Sequence, residues 1–443
     1  MTSPATPAPT APAPALAPMP TPAILRSPYV LGVADSPIRV YTGDVTLIEA
    51  GLSVSGPGSF AIRWLPTPRL VFRTQAFGVL GYDPLDVSAT RSGSAKGYMT
   101  HATFSSSAGG GTEGFIDGPI ARGTGEDLAT VLFHIPNFPV FSGEPVSTRS
   151  GRILHSRVNL AAGDWDIVID GREDDVRIRE ALRQSGGYAV THLGRLVRRD
   201  AAAFRVDEAL DMLEALSELL SFACGTRCVP MLPIGRNARG NEVWRQWRQP
   251  YVSPYRSRLT WFRETDPEAL ARAFPGLYRR WTDRPQREVL RRVIYLHGQA
   301  NRGGVEPGLI LAQAALELLA WQVLVIETKA ISGPGFEILP AADKLRLLLT
   351  ACRIPLDIPG SLEDLVAAAK ARSLRDAPEA MTNLRNRWVH PPRKGSLTSE
   401  RAAADAWRLA LWYVDLVTLW WIGYAGDYAP RVRPGTVETT PWT

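Results

Sequence analysis

An arginine and a histidine facing one phosphodiester can cut RNA without a metal. The histidine moves the proton of the 2′-hydroxyl, and the guanidinium holds the charge that develops on the phosphorus-bound oxygens. This chain carries Arg385-Asn386 with His390 shortly after, in the run Asn383-Leu384-Arg385-Asn386-Arg387-Trp388-Val389-His390-Pro391-Pro392. Spacing alone carries little weight. With six His in an arginine-rich chain, about one such Arg-to-His pair arises by chance. A second pair, Arg292 and His297, does occur, but Val293, Ile294, Tyr295 and Leu296 between them predict a buried helix. The Arg385 copy is set apart by Asn386 beside it, by Pro391-Pro392 closing the segment and by helical flanks. A plainer reading pairs Arg385 with Asp376 or Glu379, makes Asn386 a helix-end cap and satisfies His390 with a carbonyl.

A second cluster lies between Gly235 and Phe262. Trp244, Trp247, Tyr251, Tyr255 and Trp261 alternate with Arg245, Arg248, Arg256 and Arg258. Such a segment can grip single-stranded nucleic acid by stacking and charge. It can equally be a cross-strand aromatic cluster with arginines on the other face. Trp244, Arg245, Trp247, Arg248 and Arg387 are therefore carried as candidate RNA contacts. Asp164, Asp166 and Glu173-Asp174-Asp175 have the oxygen chemistry of a divalent-cation site, but read as ordinary solvated carboxylates. Cys224, Cys228 and Cys352 cannot make a complete disulfide framework, and Cys224 with Cys228 lacks a second ligand pair for zinc. No cofactor and no metal is expected. The three consecutive glycines Gly109-Gly110-Gly111 are not followed by Gly-Lys-Ser/Thr, which excludes a phosphate-binding P-loop.

These residues need elements to hold them. From Tyr29 to about Ile169, short β-branched and aromatic runs broken by Gly and Pro predict strands: Val45–Ile48, Ala61–Leu65, Arg69–Phe72, Val131–His134 and Trp165–Ile169. They suggest a sandwich or a strongly curved sheet. A helix follows, Val206 to Phe222, with Val206, Leu210, Leu213, Leu216 and Leu220 at helical spacing. From about Asp283 the pattern is helical: Arg287 to Gln299, a helix opened by Glu306-Pro307, Leu362 to Leu374, Pro378 to Trp388, and a last long helix capped by Thr398 and ending near Gly423. The fold class expected is α+β. Residues 1–25 form a disordered Pro/Ala-rich tail, 26–280 a β-rich domain with one or two helices, 283–428 a helical bundle and 429–443 a C-terminal tail.

At 443 residues with 45% hydrophobic content, the chain can bury ordinary cores. A net charge of +6 permits nucleic-acid binding without arguing for it. The N-terminus lacks the basic start and continuous apolar run of a signal peptide, and a cytoplasmic location is expected. Ala406 to Tyr424 is apolar enough to suggest a membrane span, but Arg408 and Asp415 inside it favour a buried helix, and no membrane partner is expected.

The C-terminal third resembles the HEPN superfamily, in the type found in large bacterial defence proteins. Arg385-Asn386 and His390 match its R-N-x(3)-H signature, Leu309–Glu317 resembles its early helix, and the apolar last helix completes the bundle. The preceding region, with Gly186-Gly187-Tyr188, Thr191-His192 and Trp244 near Trp247, is similar to a β-rich region that often accompanies such domains. The resemblance implies a homodimer with a composite cleft and a metal-independent endoribonuclease acting in anti-phage defence, abortive infection or as a toxin. In it His390 transfers the proton, Arg385 neutralises the phosphate and Asn386 orients phosphate or His. It further implies a phage-derived or nucleotide trigger at the N-terminal domain. Two alternatives stand beside this reading: a non-catalytic HEPN dimerisation or sensor protein, and an RNA- or ligand-binding module built on the Trp/Arg segment.

Overall fold

The computed structural model describes residues 21–49, 51–76, 84–103, 111–389 and 399–443, with backbone alone at 99–103 and 388–389. The chain is α+β, β-rich in its first half and helical in its second. The β-rich half holds two assemblies rather than one sandwich. The first is a closed antiparallel barrel of β1 (Ile38–Glu49), β2 (Leu52–Arg63), β3 (Arg69–Thr74), β4 (Leu85–Ala89), β5 (Ser94–Thr103) and β6 (Gly111–Asp117), in the order β1-β2-β3-β6-β5-β4. Period-two alternation builds it. In β3, Leu70, Phe72 and Thr74 point into the barrel while Arg69 and Arg73 face out. Gly114 of β6 is needed there, because a Cβ would collide with the Phe72 ring and the Tyr98 carbonyl. Closure of β1 on β4 leaves no free edge in this assembly.

The second assembly is an antiparallel sheet of β7 (Ile120–Gly123), β8 (Thr130–Pro136), β9 (Glu144–Ser147), β10 (Ile153–Ala162), β11 (Trp165–Gly171), β12 (Val190–Arg198), β13 (Met231–Arg236) and β14 (Glu242–Trp247). Its order is β7-β14-β13-β8-β12-β11-β10-β9. Helix α1 (Asp175–Ser185) joins β11 to β12, and α2 (Val206–Cys224) joins β12 to β13. Both faces of the sheet are covered. Val131, Phe133, Ile135, Leu196 and Trp244 face the helices, whereas Val190, Met231, Ile234 and Trp247 share a core with the barrel.

The helical half comprises α3 (Glu268–Thr282), α4 (Arg284–Arg302), α5 (Val305–Ala320) continued by a π-helical stretch (Trp321–Glu327), α6 (Gly333–Glu337), α7 (Ala341–Ala351), α8 (Glu363–Ala371), α9 (Ala377–Val389) and α10 (Glu400–Trp421), before a short hairpin of β15 (Asp427–Tyr428) and β16 (Glu438–Thr439). Helix α3 departs from expectation: Pro275 inside it hides a helix whose buried face is Leu270, Ala273, Phe274, Leu277 and Trp281. The cap of α10 is Ser399, whose hydroxyl accepts from the Ala402 N–H at 3.4 Å; Thr398 lies outside the described residues. Helix α10 is the core helix, with Leu409, Tyr413, Leu416 and Leu419 fully buried. The run Val305–Glu327 is long and apolar enough to cross a membrane, yet a little over half of its most apolar window (56%) is buried within the fold.

Two histidines of the sheet are buried. Burial pushes His134 down to about 4 and His192 to about 3, so both are neutral in the fold. The unfolded chain takes up these protons near the ordinary value of about 6.5, so it binds more protons than the fold below that pH. Stability is therefore expected to be full above pH ~6.5 and to fall steadily as the pH drops towards ~4. Urea titrations at a series of pH values would show the decline. His134→Gln, which keeps a partner for the Ser27 hydroxyl at 2.8 Å, is expected to make it shallower. An unchanged slope would remove His134 as its source.

Candidate functional site

Helix α9 carries the Arg-Asn pair. Ala377, Ala380, Met381 and Leu384 form its fully buried stripe and pack against α5, α7 and α10. Its start is anchored by Asp376, whose carboxylate accepts from Arg346 of α7 at 2.5 and 3.1 Å and from the Glu379 N–H at 3.0 Å. Burial pushes the Asp376 carboxyl up, but Arg346 and the backbone more than offset this and hold it below the usual range. Glu379 accepts from the Arg375 N–H at 2.8 Å. Asp376 and Glu379, the acids that could have occupied Arg385, are thus engaged elsewhere.

Arg385 and Asn386 sit at the far end of α9, Arg385 half-buried and Asn386 exposed. The Arg385 Nη1 donates to Asn386 Oδ1 at 3.1 Å. Among the described residues, the buried Nε of Arg385 has no hydrogen-bond partner, nor do Oδ1 of Asn383 and Nη1 of Arg372. Burial and then the nearby charge of Arg387 push the Arg372 guanidinium below its ordinary range. The end of α9 therefore gathers positive charge at a helix C-terminus, where the backbone dipole favours it, together with donors not yet used. An anion held there would relieve the repulsion and offer acceptors to the arginines, though not to Asn383 Oδ1, itself an acceptor. His390 lies outside the described residues, so Arg385 and Asn386 are the part of the motif that the structure places. Glu317 is engaged by Gln313, which donates to it at 2.7 Å.

The candidate RNA contacts on β14 must be corrected. Trp244 is 3% exposed and Trp247 0%, so neither indole can stack on a base. Trp244 points into the helix-facing core. Trp247 lies against Tyr41 and Phe60 of the barrel and donates to the Tyr29 hydroxyl at 3.2 Å. Arg245 is paired with Glu242. Arg248 and Arg387 are both half-buried, and Arg248 lines a recess with Glu214 and Glu218. Trp247→Ala is expected to cost about 3–5 kcal/mol of folding stability, as a buried aromatic truncation. Denaturant unfolding reads the loss; an altered RNA affinity with full stability would restore the stacking role.

The described residues also bring together groups that sequence reasoning did not combine. Asp415 of α10, His297 and Asn301 of α4, and Arg431 form a buried network. Arg431 donates to both Asp415 oxygens and to Asn301 Oδ1 at 3.0 Å, and His297 Nε2 lies 2.9 Å from Asp415 Oδ1. Burial pushes the Asp415 carboxyl up, but Arg431 and His297 outweigh it and hold the group below its usual range. Burial lowers His297 despite Asp415, so the imidazole is neutral. A His–Asp pair can do acid–base chemistry, but with side chains 0% and 1% exposed no substrate reaches this one. It ties helices together. Within the C-terminal tail expected over 429–443, Arg431, Val432 and Thr440 are buried.

The remaining candidates are plain. Asp164 and Asp166 pair with Arg198 and Arg199, and Asp174 with Arg172. No group of three or more His, Cys, Asp or Glu that could hold a metal occurs among the described residues. Burial pushes the thiols of Cys224 and Cys228 up, Cys224 to about 12, leaving both protonated.

Residues 123–258 match the family model described as the YopA central domain, and residues 283–440 match that of the YopA C-terminal domain. The first begins where β7 ends and covers the other strands of the sheet; the second begins at Asp283, the N-cap of α4. The barrel lies outside both. The chain is 28% identical over 442 residues to the SPbeta prophage-derived uncharacterized protein YopA of Bacillus subtilis (strain 168), covering 94% of this chain and 98% of that protein. No solved structure matches the chain significantly.

Proposed function

We propose that this chain is a metal-independent endoribonuclease of the HEPN type, with its site at the end of α9. The observation that carries the reading is the state of Arg385: its neighbouring acids are engaged elsewhere, it shares one bond with Asn386, and its Nε has no partner among the described residues. An RNA phosphate is the acceptor this reading gives to the half-buried guanidinium. His390 takes the 2′-hydroxyl proton, the 2′-oxygen attacks phosphorus, and the bond to the 5′-oxygen breaks. The products are a 2′,3′-cyclic phosphate and, once protonated, a 5′-hydroxyl. Arg385 neutralises the crowded phosphate and Asn386 orients it. DNA is spared for want of the nucleophile.

One Arg and one His cannot surround a phosphate, so the reading includes a homodimer formed through the helices, each copy completing the other's cleft. The barrel and sheet would then sense a trigger and restrain the nuclease. The prophage origin of the relative named above suits a role in conflict between phages and their hosts. The test is incubation of the purified chain with RNA in EDTA, with chemical mapping of the new ends. Cyclic-phosphate ends support the proposal. A dimer that produces none, on RNA from infected or uninfected cells, favours the non-catalytic pairing module.

A further inference from the structure

Between α2 and α4 runs a groove that the proposed nuclease site does not use. We propose that it binds a nucleoside phosphate, with the base stacked on the phenol rings of Tyr251 and Tyr295 and the phosphates held by Arg291 and Arg302. The cavity measures about 740 Å³, within the ~300–1,000 Å³ typical of small-ligand sites. It continues into a recess of about 220 Å³ that shares Glu218, Arg227, Tyr251 and Arg291 with it.

Helical spacing builds one wall. Arg291, Tyr295, Gly298 and Arg302 fall on one face of α4. Gly298, between them on this face, is buried, and a Cβ there would meet the Thr226 backbone at 3.7 Å. Tyr251 and Tyr295 are 64% and 62% exposed, so two aromatic rings line this cavity with much of their surface unused. Arg302 spends one donor on the Ser253 hydroxyl at 3.2 Å and keeps the rest of its fork.

The floor is built for a different kind of contact. Glu218 is only 4% exposed and accepts from Arg227 at 3.0 Å. A carboxylate has further lone pairs to offer N–H donors, such as those on the edge of guanine. Beside it the Ser217 hydroxyl is 1% exposed, lines the recess and has no partner among the described residues. Glu214, Glu218 and Glu288 interrupt the arginines of the groove. Those acids oppose a continuous phosphate backbone, which favours an unbroken basic track. They suit a ligand with one anionic end and one end rich in N–H groups. Its walls come from the sheet-side helix α2 and from α4, so an occupant would tie the two matched regions of the chain together.

Isothermal titration calorimetry on the full chain tests this, with GTP, ATP, UTP, inorganic triphosphate and a short single-stranded RNA with hydroxyl ends as probes. A nucleoside triphosphate is expected to bind at one site per chain, GTP ahead of UTP. Tyr295→Ala and Arg291→Ala should each weaken it at least about tenfold. Tyr295→Phe should retain it, and the melting temperature should not move because both side chains are exposed. The proposal is overturned if no nucleotide binds at millimolar concentration. It is equally overturned if inorganic triphosphate binds as tightly, if only the RNA binds, or if neither alanine variant changes the affinity.

Discussion

Replacing His390 by alanine is expected to lower RNA cleavage about 100- to 10,000-fold, the range over which a positioned acid–base group acts. Arg385→Ala should cost a similar amount through a different route, since removing one donor to a developing anion is worth about 100- to 1,000-fold. The two variants are separable. Loss of His390 should flatten the pH–rate profile, because the group that titrates is gone. Loss of Arg385 should leave the profile's shape and lower its height. Arg385→Lys should restore little, because an ammonium cannot offer the planar fork that bonds Asn386 and would hold a phosphate beside it. All three can be measured on one labelled RNA in EDTA, beside the same RNA with a 2′-deoxy sugar at the scissile position. Equal rates for wild type and His390→Ala would sink the mechanism outright.

A loss of stability as large as that at Trp247 is expected from Asp415→Ala. Asp415 accepts two of the hydrogen bonds of Arg431 and lies against His297, with the Asp415 and Arg431 side chains 1% and 2% exposed. Removing the carboxylate strands a guanidinium in the interior, and breaking a buried pair from one side costs about 3–5 kcal/mol. A stability of 5–15 kcal/mol is typical for a domain, so the loss is a large fraction of the whole. Replacing both partners, Asp415→Leu with Arg431→Met, should return most of it, because no charge is left unpaired. Guanidinium unfolding curves decide the matter; a loss below about 1 kcal/mol for Asp415→Ala would mean that water reaches the network.

The contrast between Trp247 and Asp415 shows how far this fold was legible. Strands such as β3 and β11 and helices α2, α4, α5 and α10 were visible, since period two and period 3.6 are properties of neighbouring residues. That α10 is a buried helix followed from Arg408 and Asp415 within its apolar run. Closure of β1 on β4 depends on pairing across the intervening strands and leaves no local mark. The Trp/Arg segment misled for a related reason. Trp244 and Trp247 are an odd number of residues apart, so a strand sends them to opposite faces. An exposed face would have left one of them free, but the barrel covers one side of this sheet and the helices the other. Helix α3 was hidden by Pro275, whose cost is met by packing that a sequence window cannot see. At the site, the helical setting of Arg385 and Asn386 was readable, while the engagement of Asp376 by Arg346 emerged only from tertiary structure.

The position of Arg431 has a consequence for how the protein is made. Chains emerge from the ribosome N-terminus first. His297, Asn301 and Asp415 therefore leave it before the cation that binds all three. Until that residue arrives, a newly made α10 carries a carboxylate that must be kept wet or protonated. The helices can gather early but cannot lock, and a nascent chain interrupted short of residue 431 is left with an open seam along α4 and α10. A premature stop between α10 and residue 431 should thus yield a product that chaperones and proteases recognise, although nearly every helix and strand has been synthesised.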